Sequence, residues 1–377
     1  MKIAFVHDYL VRFGGAERVL FAMHKLYPNA PIYTLLWDEE KMRPFFPEAK
    51  INSSFLNKFP RILSRHPRRL LPFIPLAVES LDFSDYDVVI SSSSAFIKGI
   101  VTRANTVHIC YCHAPARFLW ESSHAYLKEK RLPVLVRSFG ALFFNYLRVW
   151  DLNAASRVDY FLANSRFTAL RIAKYYRKEA KVIYPPLRNI NTVHEGESKA
   201  PTQKPYFVIV SQLVSPKRID LAVNAFRKLE IPLVIIGEGP ERKKLESISG
   251  KETFFLGRLD DIDVDRILAK AEGFIFSGED DFGLAPVEAM AHGKPVLALR
   301  KGGAIETIAE GVSGEFFDSL DVETLADGVR RMRENILNGK YNPETIRKIA
   351  EQYRESVFEQ ELKKVLHEYV DRPRTYN

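Results

Sequence analysis

The residues from Ser277 to Pro295 carry the densest set of groups suited to binding chemistry. Ser277, Gly278, Glu279, Asp280 and Asp281 make an acidic, glycine-containing loop. Phe282, Gly283, Leu284 and Ala285 lead into Pro286 and a short helix bearing Glu288, which stops near Gly293. Lys294 and Pro295 then feed the apolar run Val296 to Leu299. A helix N-terminus offers unsatisfied N–H groups and a partial positive charge, which suits a phosphate. A carboxylate in the first turn of that helix can accept hydrogen bonds from ribose hydroxyls. One short loop–helix–strand segment is therefore equipped to hold both the phosphates and the sugar of a nucleotide.

Other candidates lie at similar junctions. Gly14 and Gly15 follow the first apolar run, where paired glycines admit a close backbone–phosphate approach or simply make a tight turn. The third glycine of a dinucleotide fingerprint is missing. His113 ends the run Val107 to Cys112 and precedes Ala114-Pro115, a position where α/β folds place reactive groups. His108, Cys110, Cys112 and His113 do not read as a metal site. At about 3.3 Å per residue the first three are too spread out to meet at one ion, and His113 points to the other face. The two cysteines read as small buried hydrophobes, and His108 as a packed, hydrogen-bonded histidine. Lys217 and Arg218 precede a helical pattern (Leu221, Ala222, Ala225). Cations there oppose the helix dipole unless an anion such as a diphosphate is bound. Gly237-Glu238-Gly239-Pro240 and Lys301-Gly302-Gly303 are further glycine turns after apolar runs.

These groups need a scaffold, and the patterning supplies one. Apolar runs alternate with helical periodicity, which predicts an α/β fold with parallel sheets covered on both faces. Strands are expected at Lys2–Val6, Asp87–Ile90, Val107–Tyr111 and Tyr160–Ala163. Pro185-Pro186 and the polar stretch Asn189 to Lys204 read as a linker. The pattern restarts at Tyr206–Val210, Leu233–Ile236, Thr253–Leu256, Gly273–Phe276 and Pro295–Leu299. Two doubly wound domains follow, 1–195 and 200–354, with a cleft expected between the carboxyl ends of their sheets. One long helix is expected from Pro343 to Val370, its end (about 355–377) packing back on the first domain.

Composition narrows the partners. The 377 residues carry a net charge of +8, which favours anionic ligands. With two cysteines there is no disulfide framework. The start, Met1 to His7, reads as a strand and not a signal peptide. The apolar zone Val134 to Trp150 is broken by Arg137, Asn145 and Arg148, so no run reaches membrane-spanning length. A cytoplasmic location is expected. Basic-aromatic stretches at Arg61–Arg69, Lys128–Arg131 and Arg166–Lys181 suit either a solvated face or contact with an anionic membrane surface, at the inner face of the cytoplasmic membrane. No nucleic-acid-binding motif is present.

Together the Gly-Gly-Ala-Glu turn, the Cys-His-Ala-Pro-Ala-Arg-Phe-Leu-Trp segment, Lys-Arg-Ile-Asp, Gly-Glu-Gly-Pro and Phe-Gly-Leu-Ala-Pro-Val-Glu-Ala-Met-Ala-His-Gly resemble the retaining GT-B glycosyltransferases of family 4. The His-Ala-Pro-Ala-Arg-Phe-Leu-Trp segment is similar to that of bacterial mannosyltransferases of O-antigen and capsule assembly. The resemblance implies transfer of a hexose to a hydroxyl of a saccharide or lipid-linked acceptor, with mannose from GDP-mannose as the favoured donor and UDP-, ADP- and dTDP-sugars left open, and with no cofactor and no metal. It implies that Glu288 binds the donor ribose and that Phe282, Gly283, Leu284 and Ala285 offer amides to the sugar and phosphate. Lys217 would neutralise the diphosphate, Gly15 approach it, His113 stand near the transferred sugar, and Arg258 and Leu259 flank the base. Two positions depart from the family pattern. Asp280 stands where glutamate is usual, with Glu279 one step out of register, and Gln212 stands where arginine is usual, with Arg218 nearby as a substitute charge. These departures keep two other readings open: a non-catalytic binding subunit of the same fold, and a nucleotide-sugar epimerase or phosphorylase.

Overall fold

The computed structural model describes residues 1–60, 67–121, 134–190 and 198–370, with backbone alone at 67–68 and 134–139. The chain divides into two compact units, Met1–Pro186 with Phe358–Asn377, and Leu187–Val357. Arg188, from the end of the expected first domain, thus belongs to the second unit.

In the first unit the strands are β1 (Ile3–Leu10), β2 (Ile32–Trp37), β3 (Ile51–Ser53), β4 (Val88–Ser93), β5 (Val107–Cys112), β6 (Tyr160–Ala163) and β7 (Ala180–Val182). They form one parallel sheet in the order β3-β2-β1-β4-β5-β6-β7. Successive residues of β1 serve opposite faces. Ile3 and Phe5 join a core with Leu20 and Met23, while Ala4 and Val6 join another with Val78, Phe96 and Leu147. Both faces are covered, so the strands read as unbroken apolar runs.

In the second unit β8 (Phe207–Val210), β9 (Leu233–Ile236), β10 (Thr253–Gly257), β11 (Gly273–Phe276), β12 (Val296–Leu299) and β13 (Gly314–Phe317) make a parallel sheet. Its order is β10-β9-β8-β11-β12-β13. Each sheet reverses strand order once, at β1/β4 and at β8/β11, and ligands of doubly wound sheets bind at the carboxyl ends beside such a switch.

Strands β2, β3, β7 and β13 were not among the expected ones. The expected long final helix is in fact broken into Pro343–Ala350, a 3-10 turn Glu351–Tyr353, and Glu355–Val370. Arg354 is extended, and the carbonyl of Tyr353 turns away to accept the Leu187 N–H at 2.6 Å. The last helix buries Phe358, Leu362, Val365 and Leu366 in the first unit's core. Tyr369 stacks on Tyr160 with ring centroids 3.9 Å apart.

Candidate active site

In the first unit the candidate groups gather at the β1/β4 switch. Gly14 caps the helix Gly15–Leu26, whose first turn carries Glu17. His7 on β1 is in register with Ser92 on β4, and its Nδ1 lies 3.0 Å from Ser92 Oγ. The same hydroxyl lies 2.8 Å from Nε2 of His113, and His7 Nε2 lies 3.4 Å from Glu17 Oε1. The backbone of His113 is held as well. Its N–H donates to Ser93 O at 2.8 Å, and its carbonyl accepts from Thr168 Oγ1 at 3.4 Å. Burial pushes the His113 imidazole down to about 3. His113 is therefore neutral at physiological pH. Burial pushes Glu17 up, but the hydrogen bond from His7 outweighs it and holds the carboxyl below its ordinary range.

Sequence reasoning missed the supports of this grouping. The Asp8 carboxylate accepts four backbone N–H groups, from Ser94, Ala95, Phe96 and Ile97, at 2.6–3.0 Å. That fixes the turn leaving β4 just beyond Ser92. Asp151 pairs with Lys98 and accepts from Trp120 Nε1 at 2.7 Å and from the Tyr176 hydroxyl at 2.9 Å. It anchors the far end of the segment that begins at His113. His108 meets Ser91 Oγ at 2.9 Å, and Cys110 and Cys112 are buried among Val158, Phe161 and Ile172.

In the second unit the groups gather at the β8/β11 switch. Ser277 Oγ donates to the carbonyl of Lys217 at 3.0 Å. Gly278 packs so closely that a Cβ there would lie 2.7 Å from the Lys217 backbone. This contact brings the Lys217 ammonium onto Asp280, and the two form an ion pair. Gly303 N–H donates to Asp280 O at 2.9 Å, fastening the acidic loop to the Lys301–Gly303 turn. The helix begins at Leu284, two residues before the expected Pro286, because Gly283 adopts φ +84 as its cap. Leu284 and Ala285 therefore carry the free N–H groups of the first turn, and Pro286 has none. Phe282 turns its ring inward against Tyr353, centroids 5.4 Å apart.

Glu288 is buried one turn inside that helix, and its Oε1 lies 3.3 Å from Arg188 Nε. Arg188 is also paired through both terminal nitrogens with Asp265, which in turn meets His292 Nε2 at 2.9 Å. Burial pushes Asp265 up, but the bonds from His292 and Arg188 hold it below the ordinary carboxylate range. Burial opposes the charge on Arg188, yet Asp265 and Glu288 raise its pKa further. No local pattern in the sequence points to Arg188. Arg218 is tied to Asp220 at 3.1 Å through two nitrogens, so its charge is engaged locally. Gln212 and Arg258 are exposed, Leu259 and Glu279 half-buried.

Among the described residues no cluster of three or more His, Cys, Asp or Glu side chains could hold a metal ion. None of the helices described is long and apolar enough to cross a membrane. Of the basic-aromatic stretches, 61–66 and 128–131 lie outside the described residues. Leu70 and Ile74 are buried and Phe73 is exposed.

Comparison with known proteins decides the class. A model of Glycosyltransferase Family 4 matches residues 13–188, and one of group 1 glycosyl transferases matches residues 191–353. The chain is a GT-B glycosyltransferase. It is 25% identical over 381 residues to alpha-1,3/1,6-mannosyltransferase ALG2 of Saccharomyces cerevisiae, covering 83% of this chain and 72% of that protein. A GDP-mannose-dependent alpha-mannosyltransferase of Corynebacterium glutamicum is 36% identical over 118 residues, 31% of this glycosyltransferase and 28% of its relative. Among solved structures, Anabaena HepE in complex with UDP superposes with TM-score 0.71 at 18% identity, over 98% of this chain and all of that one. Sucrose-phosphate synthase from Thermosynechococcus elongatus gives 0.73 at 15% identity, over 98% and 99%. Likenesses this distant speak for the fold shared by the glycosyltransferase and its neighbours.

Proposed function

We propose that this glycosyltransferase moves a hexose, mannose from GDP-mannose, to a hydroxyl of a saccharide or lipid-linked acceptor with retention at the anomeric carbon. The observation that carries this reading is the grouping of Lys217, Asp280, the helix start at Leu284 and Glu288 at the β8/β11 switch. Lys217 and the amides of Gly283, Leu284 and Ala285 meet the charge that grows on the leaving diphosphate. Glu288 accepts from the ribose hydroxyls, and Arg258 and Leu259 flank the base. Asp280 and Glu279 face the hexose hydroxyls, with Gln212 and Arg218 beside the diphosphate. Gly14 and Gly15 are the proposed contacts for phosphate, and His113 for the transferred sugar. The departing phosphate oxygen takes the acceptor's proton, so no side chain serves as nucleophile and no metal is required. The mannosyltransferases among its relatives support mannose, and the donor named for the Corynebacterium protein supports GDP.

An anionic membrane is the proposed surface for a lipid-linked acceptor at the inner face of the cytoplasmic membrane. Leu142, Tyr146 and Val149 lie at helical spacing on the helix Val134–Ser156 and are all exposed.

Thermal unfolding against nucleotide sugars tests the donor. A ligand at about 100 times its Kd adds roughly 2.7 kcal/mol, a rise of a few degrees in Tm. A selective rise with GDP-mannose is expected. A rise confined to UDP-glucose or another base would overturn the donor assignment. With the donor in hand, an α-linked mannoside among the products confirms retention, and a β-linked one refutes it.

A further inference from the structure

The chain of contacts that ends at His113 has a consequence for its protons. Glu17, His7, Ser92 and His113 are linked in series at 3.4, 3.0 and 2.8 Å. His7 and Ser92 are 1% and 0% exposed, so water does not substitute for a missing partner. Ser92 has one hydroxyl proton and stands between two ring nitrogens. It can donate to only one of them and must accept from the other. With Glu17 ionised, its carboxylate accepts from His7 Nε2–H. With a single proton on the His7 ring, Nδ1 is then bare and takes the Ser92 proton. Ser92 Oγ in turn accepts from His113 Nε2–H. The order of donors is therefore fixed from one end to the other, and His113 is left with its lone pair on Nδ1. Among the described residues no hydrogen bond is made to that nitrogen, and His113 keeps 9% of its surface accessible.

We propose that Glu17, His7 and Ser92 are positioning residues that hold His113 in the Nε2–H tautomer, so that Nδ1 accepts a hydrogen bond from a hydroxyl of the bound sugar. The sugar contact rests on the function proposed above, whereas the tautomer rests on the four side chains with His7 singly protonated. The register of β1 with β4 supplies the geometry, because His7 and Ser92 are paired across the sheet. The glycine turn supplies the anion by setting Glu17 in the first helical turn.

Long-range 15N–1H spectra of the full chain labelled at histidine read the tautomer directly, with His113→Gln identifying the signal. Wild type is expected to show a proton on Nε2 and an unprotonated Nδ1. Ser92→Ala is expected to lose that single form, and Ser92→Thr, which keeps a hydroxyl, to retain it. A proton on Nδ1 in wild type, or an unchanged signal in Ser92→Ala, would overturn the relay. If Ser92→Ala does not fold, Glu17→Leu, which removes the acceptor at the other end of the chain, is expected to lose the single form; the same spectra decide. In turnover, Ser92→Ala should lower kcat about tenfold, the size of one lost hydrogen bond, with KM for the nucleotide sugar unchanged. A changed tautomer with unchanged kcat would remove the sugar contact. If wild type turns over no nucleotide sugar, the functional reading has failed, and the spectra still decide the relay.

Discussion

The two groupings of candidate residues, one in each unit, are built on opposite electrostatic plans. In the first unit the path to His113 runs through buried, hydrogen-bonded groups, and the one carboxylate, Glu17, sits at its outer end, 13% exposed. In the second unit the cations have protein anions as partners. Lys217 and Asp280 are 25% and 30% exposed, Arg188 and Asp265 13% and 4%. Exposure decides how firmly each pair is held. A solvent-touching pair is worth about 0–1 kcal/mol, so a diphosphate can take Lys217 from Asp280 at little cost and leave Asp280 to the sugar hydroxyls. Arg188, Asp265 and His292 are mutually bonded in a drier setting and form a fixed mount for Glu288. One unit thus aligns by hydrogen bonds, and the other by ion pairs of unequal exposure.

The hydrogen-bonded grouping rests on a buried charge beneath it, and removing that charge should have the largest effect. Asp151→Ala strands the buried Lys98 ammonium, and a loss of about 3–5 kcal/mol is expected in chemical denaturation. A loss under about 1 kcal/mol would show that this pair does not support the His113–Trp120 segment. In the second unit, Glu288→Gln should weaken binding of a nucleoside diphosphate by about 1.5–3 kcal/mol, while leaving inorganic pyrophosphate unaffected. Equal weakening of both, measured by calorimetry, would move Glu288 from the ribose to the phosphates.

Acid should act on the first unit through its buried histidines. Burial pushes both His108 and His113 down to about 3 from 6.5. Between those values the unfolded chain binds protons that the folded chain does not. Stability should therefore fall as pH drops below 6.5, by about 1.4 kcal/mol per pH unit for each group. His108→Gln should remove one such contribution in urea titrations across that range, and an unaltered slope would contradict neutral burial. The smallest effect is expected at the exchangeable pair. Asp280→Asn should tighten binding of a bare diphosphate a few-fold, by up to about 1 kcal/mol, and lower turnover. Weaker diphosphate binding would mean that Asp280 orients Lys217 instead of competing for it.

How much of this was legible follows from the range of each interaction. The loop–helix–strand from Ser277 to Leu299 was readable because its signals are local: acidic loop, glycine, helix, glycine stop, apolar run. The helix start at Leu284 was missed by two residues because Pro286 is a visible signal and the positive φ of Gly283 is not. Strands β3 and β7 are three residues long, too short for periodicity, and β13 begins with a glycine followed by a glutamate. The break at Arg354 depends on Leu187, far away in the chain. His7 with Ser92, Lys98 with Asp151, and Arg188 with Glu288 are likewise brought together only by the sheets. The residues expected to touch ligand could be named from the sequence, whereas the residues that hold them could not.

Calorimetric titration of GDP into wild type and Lys217→Ala addresses the donor site most directly. Wild type should bind, and the variant should bind roughly ten- to a hundredfold more weakly, the 1.5–3 kcal/mol of one charged hydrogen bond. Equal affinity in the two proteins would contradict the placement of the diphosphate at the β8/β11 switch.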